Sequence, residues 1–247
     1  MRFRFLGTGG SLGVPIIGRQ SEVPKEHYRL RSAGLIDIEG KRFLIDTGPD
    51  LRQQALTNGI DDIDGVILTH AHYDHLGGFD DLRPFTFKRP SPLPILLSKA
   101  TMEEIKIRYH YLIEPQQKGV SHHSFLFDIL EAPFGKISFC GVSLSYLSYR
   151  QTGMEVTGYR FGDFAYVTDI QEYTDEVFDA LEGVTRLVIS ALRWDTSNAH
   201  FSVADAIAFG ERVGAERLYF THLAHDIPFD APLPPHAMFA YDGLEVV

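Results

Sequence analysis

Thr69-His70-Ala71-His72-Tyr73-Asp74-His75 follows directly on the apolar run Gly65-Val66-Ile67-Leu68. The run is short, is bounded by a glycine and a polar residue, and reads as a buried strand. The turn after it carries His70, His72, Asp74 and His75, side chains that suit zinc and related transition metals. A helical His-Glu-x-x-His pair offers two ligands; this turn offers four and sits at a strand end, so it can feed two adjacent ions. That separates it from a surface loop that is merely rich in histidine.

Three more strand-like runs end in an acidic or metal-competent residue: Leu44-Ile45 in Asp46, Tyr166-Val167-Thr168 in Asp169, and Tyr219-Phe220-Thr221 in His222. A lone Asp after a strand is ordinarily a turn former or a helix cap. Strand ends converge at sheet edges, however, so ligands far apart in sequence can meet there. Ile67-Leu68-Thr69-His70 and Tyr219-Phe220-Thr221-His222 also echo one another, as if each half of the chain supplies one ligand-bearing strand end.

Other short apolar runs read as strands at Phe3–Leu6, Leu35–Ile38, Phe43–Ile45, Ile95–Leu97, Ile137–Phe139, Val142–Leu147, Val156–Phe161, Phe164–Val167 and Leu187–Ile189. Glu39-Gly40 and Gly162-Asp163 predict hairpins, hence antiparallel pairing both early and late. Helical patterns fall at Asp50–Thr57, Thr101–Tyr109, Asp175–Leu181 and Ser202–Val213. The last has Ser202 as N-cap, Asp205 as its capping-box partner, and one apolar face of Val203, Ala206, Ile207 and Val213. Pro84–Pro94 and Pro228–Pro235 read as surface loops, and Glu114–Ser124 as a lid or insertion. The pattern predicts an α/β (α+β) architecture of two sheets covered by helices. No composition break divides the chain, so residues 1–247 are expected to form one domain.

Composition narrows the chemistry. Cys140 is the only cysteine, which leaves no internal disulfide and no cysteine-based zinc site, so any metal rests on His and Asp. The opening Met1-Arg2-Phe3-Arg4-Phe5-Leu6 is too short for a signal peptide, and no apolar run approaches the roughly 20 residues that span a bilayer. A cytoplasmic protein with no membrane partner is expected. The net charge of −10 disfavours a long nucleic acid and leaves a small-molecule substrate as the expected partner.

The His70-Ala71-His72-Tyr73-Asp74-His75 turn, with Asp46-Thr47-Gly48 before it and Thr168-Asp169 and Thr221-His222 after it, resembles the metallo-β-lactamase superfamily. Gly7-Thr8-Gly9-Gly10-Ser11-Leu12-Gly13-Val14-Pro15, the run from Asp46 to Gln54 and the run from Asp80 to Phe85 resemble its PhnP-like branch of cyclic-phosphate phosphodiesterases, related to ribonuclease Z. The resemblance implies an αββα sandwich, two mixed sheets flanked by helices, with two divalent ions (zinc or manganese) at one edge. It assigns His70 and His72 to the first ion, Asp74, His75 and His222 to the second, and Asp169 to both. A centre of that kind supplies an activated water and a clamp for a phosphoryl or carbonyl oxygen. Asp74 and His200 are the expected catalytic residues. His200 stands where the branch carries a histidine that protonates the leaving group.

Two departures bear on that transfer. The family's third histidine on the first ion is missing, since no histidine lies between His123 and His200, and Gln151 stands in its place. A Gln carbonyl is a neutral oxygen ligand, weaker than imidazole for zinc and better tolerated by manganese or magnesium, which puts occupancy of the first site in question. His122 or His123 is a remote substitute. The branch's cysteine cluster is also absent, with Ile17-Gly18-Arg19-Gln20-Ser21-Glu22 in its place, leaving His225 as a structural or rim residue.

The expected function is hydrolysis of a small or cyclic phosphodiester by a metal-activated water, on an anionic substrate and compatible with a homodimer. Hydrolysis of a thioester or lactone, and a ribonuclease Z-like nuclease activity, stay open. So does a degenerate, non-catalytic metal-binding protein, for which Gln151 is the argument.

Overall fold

The structure, a computed structural model, describes residues 1–87, 89–113, 125–195 and 199–247. In chain order the strands are β1 (Arg2–Gly7), β2 (Ala33–Ile38), β3 (Lys41–Ile45), β4 (Gly65–Ile67), β5 (Leu93–Ser98), β6 (Phe125–Leu130) and β7 (Phe134–Phe139). They continue with β8 (Val142–Gln151), β9 (Met154–Phe161), β10 (Phe164–Val167), β11 (Arg186–Ser190), β12 (Arg217–Thr221), β13 (Ala237–Phe239) and β14 (Glu245–Val246). The helices are α1 (Leu51–Asn58), α2 (Tyr73–Leu76), α3 (Arg83–Thr86), α4 (Lys99–Arg108), α5 (His110–Ile113), α6 (Glu176–Ala180) and α7 (Val203–Val213).

One sheet runs β14-β1-β2-β3-β4-β5-β6 and the other β13-β12-β11-β10-β9-β8-β7. Both are mixed: β1 to β3 and β7 to β10 pair antiparallel, while β3 to β6 and β10 to β13 pair parallel. The predicted hairpins form at Glu39-Gly40, between β2 and β3, and at Gly162-Asp163, between β9 and β10. Glu39 and Gly40 both have positive φ (51° and 74°), the backbone that a two-residue turn needs to match strand twist.

Alternation along each strand sorts side chains into layers. Phe43 and Ile45 of β3 point between the sheets, where Phe3, Phe5 and Ile36 meet Tyr159, Phe164 and Tyr166 of the second sheet. Leu44 points the other way and packs in a cluster with Leu51 of α1 and Ile105 of α4. On the far side Leu147, Val167, Ile189 and Phe220 pack under Val177 of α6 and Val203, Ala206 and Phe209 of α7. The result is the expected αββα sandwich with two mixed sheets flanked by helices.

Some expectations shift. Pro84 lies in the first turn of α3, where a missing N–H costs nothing, and Pro94 lies in β5, so the stretch from Pro84 to Pro94 is not one loop. Pro94 is tolerated because β4 pairs with β5 only from Val66 and Ile95 onward. β6 went unread because its apolar run, Phe125–Leu130, abuts the polar stretch assigned to a lid. That stretch from 114 to 124, with His122 and His123, lies outside the described residues. Among the described residues, no helix is long and apolar enough to cross a membrane.

Candidate metal centre

The parallel strands of both sheets end at the same edge. Asp46 follows β3, the His70 turn follows β4, Asp169 follows β10 and His222 follows β12. Asp46, Asp169 and His222 all adopt left-handed backbone, with φ of 65°, 53° and 57°. Non-glycine residues take that conformation at a cost, and they do so most where a site over-determines the backbone. The strained residues here are the ones whose side chains turn into the shared edge.

Packing fixes the His turn from several sides. Thr69 donates its N–H to Asp46 Oδ1 at 2.8 Å, Tyr159 Oη donates to the Leu68 carbonyl at 2.7 Å, and Arg108 of α4 donates to the Ala71 carbonyl at 2.6 Å. Thr47 N–H donates to the His75 carbonyl at 2.7 Å, joining the Asp46-Thr47-Gly48 segment to the start of α2. A Cβ on Gly48 would lie 2.1 Å from the Asp74 carbonyl oxygen, so only glycine permits this approach.

The side chains meet around Asp169. Its Oδ2 lies 2.8 Å from His75 Nε2 and 3.8 Å from His70 Nε2, while its Oδ1 lies 3.2 Å from His222 Nε2 and 3.1 Å from His200 Nδ1. Asp74 Oδ2 sits 3.3 Å from His75 Nε2 and 3.1 Å from His222 Nε2. His72 Nδ1 is 2.9 Å from His70 Nε2. Each carboxylate oxygen of Asp169 thus faces a different pair of histidines.

Donor atoms group as His70–His75–Asp169, as Asp74–His75–His222, and as Asp169–His200–His222. Five of the seven expected metal residues fall in these groups, together with His200, and His72 joins them through its contact with His70. Gln151, at the end of β8, is buried beside His200.

Electrostatics prepare the cluster for cations. Burial pushes the His70 and His72 imidazoles down, which favours the neutral rings that can ligate a cation. Burial also disfavours charge on His75 and His222, yet Asp74 and Asp169 overcome it and draw both upward, with Asp46 adding to the pull on His75. Burial would raise Asp74 and Asp169, but His75 and His222 hold both carboxyls well below the usual range. Three buried carboxylates, Asp46, Asp74 and Asp169, need positive charge that protonated histidines or bound cations must supply.

A divalent metal fits this donor set of imidazole nitrogen and carboxylate oxygen. His75 Nε2 and Asp169 Oδ1 are buried without a hydrogen-bond partner although other donor atoms lie about them, as expected of atoms converging on an ion. Outer partners already orient two ligands: Thr69 Oγ1 is 2.9 Å from His70 Nδ1, and Asp46 Oδ2 is 2.7 Å from His75 Nδ1. These supporting roles were not assigned from the sequence. The Asp46-Thr47-Gly48 motif was the available signal.

The loop that lacks cysteines has its own anchor. His225 accepts from the Ile16 N–H at 3.2 Å through Nδ1, and its Nε2 lies 3.2 Å from Glu22, which also pairs with Arg19. His225 thus ties Ile16 and Glu22 of this loop together.

Residues 41–223 match the model of the beta-lactamase superfamily domain, and the chain belongs to that family. It has the metallo-β-lactamase fold of metal-dependent hydrolases and is related to a PhnP-family diphosphatase and to ribonuclease Z. A crystal structure described as a new diphosphatase from the PhnP family superposes with a TM-score of 0.88 at 32% identity, covering 100% of this chain and 97% of that one. A ribonuclease Z of Methanopyrus kandleri is 38% identical over 77 residues, 30% of this chain and 23% of the relative. A Porphyromonas gingivalis protein named octanoyltransferase is 33% identical over 258 residues, which is 100% of this chain but only 51% of that protein. The chain thus spans about half the length of that relative.

Proposed function

We propose that the protein is a metal-dependent phosphodiesterase acting on a small or cyclic anionic phosphodiester. The observation that carries this reading is the position of Asp169 between two sets of histidines, in a chain similar over its whole length to a PhnP-family diphosphatase. His70, His72 and Gln151 would hold one ion, and Asp74, His75 and His222 the other, with Asp169 shared. Zinc and manganese both suit these donors. Bound there, the ions supply an activated water and an electrophilic clamp on the phosphoryl oxygen. Asp46 and Thr69 orient His75 and His70 before substrate arrives, and His200 keeps a proton at the centre for the departing oxygen. The net charge of −10 favours a small substrate over a polyanion.

The test is turnover of bis(p-nitrophenyl) phosphate, a 2′,3′-cyclic nucleotide and a nucleoside diphosphate ester by zinc- and manganese-loaded protein, alongside Asp74→Ala. Diester hydrolysis that disappears together with bound metal in Asp74→Ala is expected. Hydrolysis of none of these compounds, or an unimpaired Asp74→Ala, sinks the reading.

A second reading, hydrolysis of an acyl ester or thioester, is favoured by the relative named octanoyltransferase. The same activated water attacks an acyl carbonyl, and exposed Tyr73, between His72 and Asp74, offers apolar surface for a chain. Release of thiol from an octanoyl thioester in the same panel, without diester hydrolysis, would select it.

A further inference from the structure

Gln151 occupies the place of a missing ligand, but the amide has other business. It is buried at the end of β8, and its Nε2 lies 3.2 Å from the Ala199 carbonyl oxygen and 3.2 Å from His200 Nε2. The orientation of a side-chain amide must be settled by its partners, and here they settle it. Turned the other way, Oε1 would face the Ala199 carbonyl, two acceptors in contact. With the nitrogen in place, two N–H groups meet two acceptors, the Ala199 carbonyl and the His200 ring.

The tautomer of His200 follows. A ring nitrogen that faces an N–H donor must present its lone pair, so the neutral imidazole carries its hydrogen on Nδ1. Nδ1 is the nitrogen turned to the metal centre, 3.1 Å from Asp169 Oδ1, so its hydrogen faces that carboxylate. The ring stacks on His222 with centroids 5.1 Å apart, which fixes its plane.

We infer that Gln151 is a positioning residue for His200, holding Nε2 as an acceptor and thereby directing the proton of the neutral ring to the centre-facing Nδ1. The inference rests on the proposed hydrolase reading for its consequence, but not for its geometry. The exchange of histidine for glutamine at this position gives up a nitrogen ligand and gains a clamp on both the ring and the backbone that aim the Nδ1–H at the centre. Oε1 is left buried without a hydrogen-bond partner.

The experiment is long-range ¹⁵N–¹H NMR of the histidine rings in zinc-loaded wild type, Gln151→Ala and the isosteric Gln151→Glu, with His200→Gln to assign the signals. Metal content and steady-state kinetics are measured on the same samples. Wild-type His200 is expected as the Nδ1–H tautomer. Gln151→Glu, which can only accept, should move the hydrogen to Nε2, and Gln151→Ala should give a mixture. In both variants kcat for the diester should fall by about 10²-fold, the scale of losing one hydrogen-bond donor to the charge that develops on the departing oxygen, with KM changed by less than about threefold. Gln151→Asn, shorter by a methylene but still a donor, should recover part of the rate.

An Nε2–H tautomer in wild type overturns the inference, whether or not Nδ1 then binds metal. So does a His200 tautomer that is the same in all three proteins, or loss of a bound ion as the sole effect of Gln151→Ala. The tautomer is read without substrate, so wild type that shows the expected tautomer and hydrolyses no phosphodiester refutes the proposed function alone. Hydrolysis by wild type with an unmoved tautomer in Gln151→Glu refutes the positioning role alone.

Discussion

His75 Nδ1 lies 2.7 Å from Asp46 Oδ2, with both side chains wholly buried, and this contact decides which way His75 Nε2 points. Asp46 also takes the Thr69 N–H and hydroxyl, and Thr69 in turn meets His70 Nδ1. One carboxylate therefore orients two of the five imidazoles gathered at the centre, one directly and one through Thr69. Asp46→Ala should weaken metal binding about 10- to 100-fold, the cost typical of losing an outer partner of a ligating histidine. Competition against a zinc-sensitive dye would measure it. Affinity within threefold of wild type would show that His75 is held by other contacts.

Gly48 lets two segments approach that a side chain would part. Its Cβ would sit 2.1 Å from the Asp74 carbonyl, on backbone that cannot yield without moving Asp74. Gly48→Ala should cost about 1–3 kcal/mol of stability through overpacking and lower kcat/KM by about 10²-fold, since a displacement near 1 Å at a ligand is enough. Urea unfolding and diester kinetics test the two parts separately. A variant with wild-type turnover would mean that the α2 turn relaxes without carrying Asp74 along.

Much of this architecture was legible in the sequence because the cues were local. The strand before the His turn, the Glu39-Gly40 hairpin and the Ser202–Asp205 capping box each depend on residues within a few positions of one another. The convergence of Asp46, Asp169 and His222 was readable from their places after apolar runs, since parallel strands end at one edge. Their positive φ was not readable, because it is imposed by tertiary contacts rather than by residue type. The contact of Gln151 with His200 was also out of reach, as it joins residues 49 positions apart across the second sheet. The sequence could place Gln151 in the position of a ligand but not say which way its amide turns.

Ser202 separates fold stability from the centre. Its hydroxyl caps α7 by accepting from the Asp205 N–H at 3.2 Å, and Asp205 accepts from the Ser202 N–H at 2.9 Å. Ser202→Ala should destabilise the protein by about 1 kcal/mol, the ordinary worth of an N-cap, while leaving metal content unchanged. Only Phe201 separates it from His200, so the same variant asks whether the cap also places the ring. A fall in kcat larger than about threefold, with metal retained, would tie the cap to His200.

Asp242 gives a pH dependence that does not involve the metal centre. Its carboxylate accepts from the Leu30 N–H and the Thr8 hydroxyl, both at 2.7 Å, but burial outweighs these bonds and lifts its pKa from 3.8 to about 6. A carboxyl that ionises less readily folded than unfolded binds more protons in the folded state, so its contribution to stability falls as pH rises from 3.8 to about 6. The full change corresponds to about 3 kcal/mol and is complete near pH 7. Asp242→Asn keeps an acceptor for the Leu30 N–H and turns an N–H to the Thr8 hydroxyl in place of an acceptor, but cannot ionise. Urea unfolding of both proteins between pH 4 and pH 7 should therefore show wild type losing about 3 kcal/mol relative to the variant across this interval. A difference that stays constant over the interval would mean that Asp242 titrates as it does in the unfolded chain, its charge fully stabilised by the Leu30 N–H, the Thr8 hydroxyl and the nearby Arg29 guanidinium, which itself donates to Thr8.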